Sequence, residues 1–398
     1  LSAEALRFYG ESAAAAPGED AAAWLRKALA LNDELGALTE TLAAYTYARF
    51  STATRDAQAV AELNAVEALL LPAKRADVLF KNALAARRES VEAALSSNAD
   101  LAPYAYHVRE VLFYLARPMS PELEDLAEVW DAAAGERKTV IELRNLAFDP
   151  DRAVREKAFG LEQSVWKSVE VPMAAALNGV KGAAASLNAR RGWKDSLEKS
   201  IAQARISPAT LDALIQAMEE SLPTWRKYLR AKARALGVPA LAFYDLFAPV
   251  EKSGVPLPTF SWNDTRAFIR DKFSSFDPGM GAFAAKAFDR SWIDAQPREG
   301  KVGGAYCTDF PTVGAARVLC NFDGSFSSVG TVAHELGHAW HHECILGKPY
   351  ALTQYPMTLA ETASIFAETI VSEAALASAS PPERLSLVEM RLQDSCQV

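Results

Sequence analysis

The chain has 398 residues, of which half are hydrophobic and 23% are charged, a composition typical of globular proteins. The chain is longer than an ordinary domain built around one hydrophobic core, so we expect two or more domains or one large helical body. The formal net charge of −8 and the lack of any run rich in lysine and arginine argue against a nucleic-acid partner.

The sequence gives no sign of a membrane or secreted protein. No apolar run approaches the roughly 20 residues that span a bilayer. No stretch has the pattern of a signal peptide, in which charged residues are followed by an apolar run. The four cysteines stand singly and form no CxxC pair or disulfide-rich spacing. Such cysteines are typical of reduced thiols, so we predict a cytoplasmic protein with no membrane partner.

The first 240 residues carry an almost continuous helical pattern. Apolar residues recur at intervals of three and four in stretches such as AAAWLRKALALNDELGALTETLAAY and DAQAVAELNAVEALLL. The breaks are short, and Ser207-Pro208 is typical of an N-cap followed by the first helical residue. We predict an N-terminal helical domain over residues 1–145 and a second domain over residues 146–398.

Residues 237–262 interrupt this pattern with prolines, glycines and aromatics, which predicts an ordered connection. A helix is predicted again over residues 263–287. KVGGAYCTDF and ARVLCNFDG then predict two neighbouring strands, because both are short and bounded by glycine, proline or aspartate. Further helices are predicted from Ser327 or Ser328 and from near Thr358. The predicted fold class is mostly α, with a small β-sheet beside the helix that begins at about Ser328.

That helix contains four of the five histidines, in the stretch TVAHELGHAWHHE of residues 331–343. His334 and His338 are four residues apart, so a helix places both imidazoles on one face, where they can bind one zinc ion. Glu335 lies about 100° further round the helix, away from the metal but near a water held there. A general base is required at that place. We therefore predict one Zn²⁺ per chain rather than ordinary helix residues without a metal.

A catalytic zinc site requires a third protein ligand. Glu361 and Glu368 are candidates, and their spacing of seven residues puts them on one face of a helix. Spacing alone leaves Glu361 open, because Thr358 and Glu361 also have the spacing of a capping box. His341 and His342 follow one turn beyond the HExxH motif, and we expect them to support the site or to lie at the surface.

Several stretches together resemble the oligoendopeptidase F branch of the thimet oligopeptidase family of zinc peptidases. VAHELGHAWH and the following LAETASIFAE carry most of this resemblance. WIDAQPREGKVGGAY, VLCNF, FDPDRAVREKAF and YDLFAP agree with it. The HExxH motif alone is shared by many zinc peptidases, whereas the glycine-rich stretch and the downstream glutamate narrow the resemblance to this family.

The resemblance implies a role for each of nine residues. They are His334, His338 and Glu361 as zinc ligands, Glu335 as general base, His341 and Glu368 as residues that support the ligands, and Gly304, Ala305 and Tyr306 as an edge strand that holds a peptide through backbone hydrogen bonds. The implied fold is a largely helical, two-lobed body. Its N-terminal helical domain forms one wall of a deep channel, and residues 146–398 form the N-terminal part of a zinc metallopeptidase catalytic domain.

The expected activity is zinc-dependent hydrolysis of internal bonds in short, unstructured peptides, with a water activated by Glu335. In the family, a later helical region supplies a histidine and tyrosines that stabilise the tetrahedral intermediate, and nothing in this sequence matches it. We expect a missing C-terminal region or a second polypeptide to complete the site. A zinc carboxypeptidase on a similar helical fold and a catalytically incomplete peptide-binding fragment stay open as alternatives.

Overall fold

The computed structural model describes residues 1–13, 20–114, 146–168, 170–250, 259–298 and 300–397. Helices dominate these residues, and the predicted fold class of mostly α with a small sheet is confirmed. In chain order the helices are α1 (Ser2–Glu11), α2 (Ala21–Thr52), α3 (Ala57–Ala85), α4 (Arg88–Ser97), α5 (Ala105–Tyr114), α6 (Arg152–Ser168), α7 (Glu170–Arg190), α8 (Ser196–Gln203), α9 (Pro208–Leu236), α10 (Trp262–Phe276), α11 (Pro278–Asp289), α12 (Phe326–Ile345), α13 (Met357–Ser378) and α14 (Pro381–Gln397).

The sheet has three strands in the order β1-β3-β2, with β1 at Ile293–Asp294, β2 at Tyr306–Phe310 and β3 at Ala315–Leu319. β2 and β3 pair antiparallel, with Tyr306 opposite Leu319, and β1 pairs parallel to β3. The two predicted strands are therefore present, although both are shorter than the stretches that predicted them. Within the described residues β2 lies at an edge of the sheet.

The helix predicted over residues 263–287 is wrong as a single element, because the structure divides it at Asp277. Pro278 lacks an N–H group and disfavours the helical conformation of the residue before it. Asp277 is accordingly extended, with φ −146° and ψ 125°, and its side chain accepts a hydrogen bond from the Met280 N–H at 2.8 Å. One aspartate therefore ends α10 and caps α11.

Other predicted helix starts agree with the structure to within about two residues. Ser207 caps α9 by accepting a hydrogen bond from the Thr210 N–H, as its pairing with Pro208 predicted. The histidine helix, our name for α12, begins at Phe326 after the N-cap Ser325. The glutamate helix, our name for α13, begins at Met357.

The predicted connection after α9 is fixed by a buried carboxylate. Asp245 is fully buried and accepts hydrogen bonds from the guanidinium groups of Arg152 and Arg155, each at 3.1 Å at its shortest. Arg155 also donates to the carbonyl of Asp149 at 2.7 Å. Two motifs that are distant in sequence, FDPDRAVREKAF and YDLFAP, therefore meet through this ion pair.

Two clusters contain most of the buried hydrophobic residues in the described ranges. One packs the sheet between α10, α11, the histidine helix and the glutamate helix, and it includes Ile269, Phe273, Met280, Val329 and Leu336. The other joins α1 to α5 and includes Tyr9, Leu25, Phe80, Leu84 and Val91. The predicted boundary near residue 145 lies outside the described residues, so the division into 1–145 and 146–398 stays a prediction. No helix in the described ranges has the length and apolar character that crossing a membrane requires.

The end of α2 attaches the N-terminal helices to the sheet. The Tyr306 ring packs against Tyr47 with a centroid distance of 5.4 Å, and its hydroxyl is hydrogen-bonded to Ser51. Val302 donates its N–H to the Ser51 carbonyl at 2.9 Å, and Thr54 donates its N–H to the Gly300 carbonyl at 2.7 Å. The segment that leads into β2 is thus held directly by α2.

Candidate metal centre

The histidine helix and the glutamate helix approach each other closely at Gly337. A Cβ atom at this position would lie 2.6 Å from the Ala363 carbonyl oxygen and 2.7 Å from the Ser364 Cα. Such distances are well inside van der Waals contact, so only hydrogen fits there. The glycine of HELGH therefore allows the two helices to come near enough for side chains on one to reach side chains on the other.

Three side chains converge where the helices meet. Glu361 Oε2 lies 3.1 Å from His334 Nε2 and 3.3 Å from His338 Nε2, and the two imidazole centroids are 5.0 Å apart. The three potential ligand atoms all lie within 4.8 Å of one another. Across the described part of the chain, no other set of three or more His, Cys, Asp or Glu side chains comes this close together.

This arrangement fits a tetrahedral metal ion. Bonds of about 2.0–2.2 Å at tetrahedral angles would place the ligand atoms roughly 3.3–3.6 Å apart. The two separations from Glu361 Oε2, 3.1 and 3.3 Å, are close to that value. Two imidazoles and one carboxylate are also a donor set used by catalytic zinc sites, with the fourth position open to water or substrate.

Ser364 holds the Glu361 carboxylate in place. Its fully buried side chain donates to Glu361 Oε2 at 2.8 Å, one helical turn further along the glutamate helix. Burial raises the pKa of Glu361, but the Ser364 hydrogen bond and the two nearby imidazoles outweigh it and hold the pKa below its ordinary value. Glu361 is therefore ionised at neutral pH, as a metal ligand must be.

The capping-box alternative for Glu361 is wrong. The glutamate helix begins at Met357 after Pro356, and no side chain caps it. Thr358, which would have been the cap, is already inside the helix and donates its hydroxyl to the Ala204 carbonyl at 2.7 Å. Glu361 is consequently not used at the helix start and faces the imidazoles.

Glu368 lies behind His334, on the same face of the glutamate helix as Glu361. Its Oε2 is 3.4 Å from His334 Nδ1, and this contact is the main cause that raises the pKa of His334 above its ordinary value. A carboxylate at Nδ1 favours the tautomer that leaves Nε2 free to bind a metal. Burial has the opposite effect on His338 and lowers its pKa.

Glu335 is separate from the three converging side chains and is only 6% exposed. Burial raises the pKa of its carboxyl to about 7; His334 lowers it and Glu361 raises it. Glu335 and His334 line one cavity of about 370 Å³, whose wall also includes Ala305 and Glu368. A carboxylate with a pKa near neutrality beside such a cavity can both accept and release a proton.

The two remaining histidines of the helix lie away from this group. The His341 ring packs on Tyr355 with a centroid distance of 4.5 Å. His342 is buried, with its Nδ1 3.2 Å from Asp309 Oδ2. The structure thus places His341 against an aromatic ring, and its supporting role stays a prediction.

The three residues predicted to hold a peptide lie where β2 begins. Gly304 has φ +76°, and Ala305 lines the cavity beside Glu335. Tyr306, the first residue of β2, directs its side chain towards α2 instead. Ala305 therefore borders the same cavity as the candidate base, whereas Tyr306 does not line it.

Two residues of this site, Gly337 and Ser364, were not among the predicted site residues. Gly337 acts through the contact between the two helices, which no spacing within one helix shows, whereas Ser364 acts on Glu361 within the glutamate helix. The available signals were the glycine inside HELGH, where a helix disfavours glycine, and a serine three residues after Glu361, where a helix allows contact.

The part of the chain that contains the candidate site resembles known peptidases. Residues 272–395, which include both helices of the site, match the model of Peptidase family M3. The plasmid-encoded oligoendopeptidase F of Lactococcus lactis subsp. cremoris is 27% identical over 206 residues, covering 51% of this chain and 34% of that protein. Group B oligopeptidase PepB of Streptococcus agalactiae is 26% identical over 229 residues, covering 57% and 37%. The chain thus spans about a third of the length of the curated relatives it matches.

Solved structures of related proteins show the same fold. Oligoendopeptidase F from Enterococcus faecium superposes with a TM-score of 0.65 at 18% identity, covering 99% of this chain and 69% of that one. PZ peptidase A, solved with an inhibitor, gives a TM-score of 0.70 at 17% identity, covering 99% and 71%. The family match and the curated relatives confirm the resemblance seen in the sequence: residues 272–395 match peptidase family M3, and the chain is similar to oligoendopeptidases of the F branch.

Proposed function

We propose that this chain carries the metal site of a zinc endopeptidase that hydrolyses internal bonds of short, unstructured peptides. The observation that supports this most directly is the convergence of His334, His338 and Glu361 beside the buried carboxyl of Glu335. The names of the curated relatives, oligoendopeptidase and oligopeptidase, support peptides as the substrate class.

The residues that would hold the zinc are His334 and His338, through their Nε2 atoms, and Glu361, through its carboxylate. A bound zinc ion supplies Lewis-acid polarisation of a carbonyl group and lowers the pKa of a bound water to about 7. Glu368 keeps Nε2 of His334 directed at the site through its contact with Nδ1. Ser364 keeps the Glu361 carboxylate directed at both imidazoles.

Glu335 is the general base of this proposal. Its carboxylate takes a proton from the water that attacks the scissile carbonyl and then delivers this proton to the leaving amine. Both transfers require a group whose pKa lies near the working pH, and burial raises the pKa of Glu335 to about 7. The cavity that Glu335 shares with Ala305 provides room for the peptide bond next to the carboxylate.

The edge of β2 is the proposed place for the substrate backbone. An extended peptide can add to an exposed strand through main-chain hydrogen bonds, which favours unfolded segments over folded proteins. The proposal includes a cytoplasmic location. Cys307, Cys320, Cys344 and Cys396 are all free thiols, which supports a reducing compartment.

Mass spectrometry of cleaved peptides tests this proposal. Peptides of about ten residues, long enough to occupy an edge strand and cross the site, are incubated with the chain in the presence and absence of a zinc chelator. We expect cleavage at internal bonds, abolished by the chelator and restored by added zinc. Release of single terminal residues would instead support a carboxypeptidase, and peptide binding without cleavage by the zinc-loaded chain would support the alternative of a catalytically incomplete peptide-binding fragment.

A further inference from the structure

We propose that Asn321 is a positioning residue that extends the hydrogen-bonding edge of β3 and thereby presents the backbone of Ala305 to a peptide substrate. This inference rests on the proposed function, because it concerns how the same site holds its substrate. Asn321 is the asparagine of the VLCNF stretch. It lies between the end of β3 and the histidine helix and has no part in the metal site.

The side-chain amide of Asn321 bonds to two carbonyl groups of the glycine-rich segment. Its Nδ2 donates to the carbonyl oxygens of Val302 and Gly304, each at 3.0 Å. A primary amide has two N–H groups, so both donors are used. The backbone around Asn321 is itself fixed, since Cys320 and Phe322 donate their N–H groups to the carbonyls of Asp294 and Ala295 at 3.0 and 2.9 Å.

The direction of the backbone groups in the sheet follows from the bonds to the first strand. Val318 and Cys320 donate their N–H groups to the carbonyls of Trp292 and Asp294, on the β1 side. Backbone groups alternate sides along a strand, so Leu319 points towards β2 and bonds to its partner Tyr306. By the same alternation, the N–H and C=O groups of Ala305 and Cys307 point away from β3, to the open edge.

Asn321 continues this alternation beyond the last paired residue. The ladder between β2 and β3 ends at Tyr306, and the inward-facing carbonyl of Gly304 has no opposite strand residue in that ladder. The Asn321 amide bonds to that carbonyl instead. The register of the sheet is thus maintained through Gly304, and Ala305 is kept facing the edge next to Glu335.

The two glycines before Ala305 depend on this contact because the anchors on their N-terminal side end at Val302 and those on their C-terminal side begin at Tyr306. The Lys301 side chain is buried, and its Nζ donates to the carbonyls of Asp294 and Cys320 at 2.9 and 2.6 Å. Val302 is bonded to Ser51. Gly303 and Gly304 follow, Gly304 with φ +76°, and two glycines in succession leave the backbone free to take many conformations. Asn321 restrains the backbone directly before Ala305.

Asn321→Asp is the most informative substitution. It keeps the shape of the side chain but replaces both donors with oxygen, which turns two hydrogen bonds into contacts between a carboxylate and two carbonyls. We expect KM for an internally quenched peptide to rise about tenfold, as the loss of one or two backbone hydrogen bonds to substrate predicts, with kcat changed less than threefold. Zinc content should stay at that of the parent chain.

Asn64→Asp is the matched control, because Asn64 is exposed on α3 and the substitution makes the same chemical change far from the site. Its KM should equal that of the parent. Asn321→Ala removes the donors without adding charge, so it should also raise KM. This variant replaces Asn321→Asp in the test if the aspartate variant does not fold. If Asn321 had a purely structural role, its substitution would lower the melting temperature or the active fraction of the chain and leave KM unchanged.

Affinity for the peptide without turnover provides the second measurement. A labelled peptide is titrated into the zinc-loaded Glu335→Gln chain with and without Asn321→Asp, and the inference predicts about tenfold weaker binding in the double variant. Equal KM and equal binding would overturn the inference while cleavage by the parent chain upholds the proposed function. If the parent chain neither cleaves nor binds the peptide, the proposed function fails and this inference is overturned with it.

Discussion

Glu361 owes its position to a serine one turn further along its own helix. Ser364 is fully buried between the two helices and donates to the carboxylate oxygen that faces both imidazoles. Side chains that fix a metal ligand in this way contribute to metal affinity although they never touch the metal.

Ser364→Ala should therefore weaken zinc binding by about 10- to 100-fold. The substitution leaves all three ligands in place but allows the Glu361 carboxylate to rotate away. A competition titration with a zinc-binding dye measures the effect. Ser200→Ala is the control, because Ser200 makes only a local hydrogen bond to the Ser196 carbonyl on α8. Equal zinc affinity in the two variants would show that Ser364 is not needed to orient Glu361.

The sequence predicted some of these residues better than others. His334, Glu335 and His338 belong to one helix, so their relative directions follow from helix periodicity alone. Glu361 lies on another helix, and whether it caps that helix or faces the imidazoles depended on where the helix starts. Because the helix starts at Met357 without a side-chain cap, Glu361 is free to face the imidazoles, and no spacing in the sequence predicts that start.

At the scale of helices and strands, the site depends on how near the histidine and glutamate helices come to each other. Their contact at Gly337 leaves no space for a Cβ atom, because a Cβ atom on this residue would lie only 2.8 Å from the Ala367 Cβ. A larger residue must push the helices apart, and this would move Glu361 away from His334 and His338.

Gly337→Ala should destabilise the chain by about 1–3 kcal/mol, as expected for overpacking in a tightly packed interior. The gain in helix propensity, up to about 1 kcal/mol, only partly offsets this cost. Urea denaturation measures the difference. Gly182→Ala on α7 is the control, because nothing lies within 4 Å of its Cβ position. That control should be neutral or slightly stabilising, and a similar gain for Gly337→Ala would contradict the close contact.

The ion pair at Asp245 predicts how the stability of the chain depends on pH. Burial raises the pKa of Asp245, but hydrogen bonds from the Ala242 N–H and from Arg152 and Arg155 outweigh it and hold the pKa below its ordinary value. Because the carboxyl binds a proton less readily in the folded than in the unfolded chain, its stabilising effect is complete above the unfolded pKa of about 4. It is lost as the pH falls through the lower, folded value.

Asp245→Asn should lower the free energy of unfolding at pH 7 by about 3 kcal/mol, because it leaves the buried Arg155 guanidinium without a counter-charge. The loss should shrink as the pH falls below about 4, where the parent loses the same interaction. Thermal unfolding across this pH range provides the measurement. Asp289→Asn, which removes an exposed partner of Arg266, should change stability by less than about 1 kcal/mol. A loss at Asp245 that does not depend on pH would contradict the assignment.

The elements that the sequence predicted least well have few residues or depend on distant ones. β1 has two residues, too few for a period-two pattern. It forms because the carbonyls of Asp294 and of Trp292, the residue directly before β1, accept hydrogen bonds from the N–H groups of Cys320 and Val318. The break at Asp277 did have a local signal, the proline that follows it, but the surrounding apolar pattern continues across it.

On the scale of the whole molecule, the N-terminal helices matter because α2 lies directly against the segment proposed to bind the substrate. Ser51 and Thr54 bond to the backbone of Val302 and Gly300, and Ser51 also holds the hydroxyl of Tyr306. These contacts join residues about 250 positions apart, and the helical pattern of α2 gives no indication of them. The sequence therefore predicted that Tyr306 belongs to the edge strand but not where its side chain points.

The most direct test of the proposed zinc peptidase is a comparison of Glu335→Gln with the parent chain by metal analysis and peptide cleavage. We expect one zinc ion per chain in both, because Glu335 is not one of the three converging side chains. Cleavage by the variant should fall by at least about 10²-fold, since the glutamine side chain cannot accept the proton from water. Zinc in both with near-equal cleavage would contradict the role of Glu335, and the lack of zinc in the parent would contradict the metal site itself.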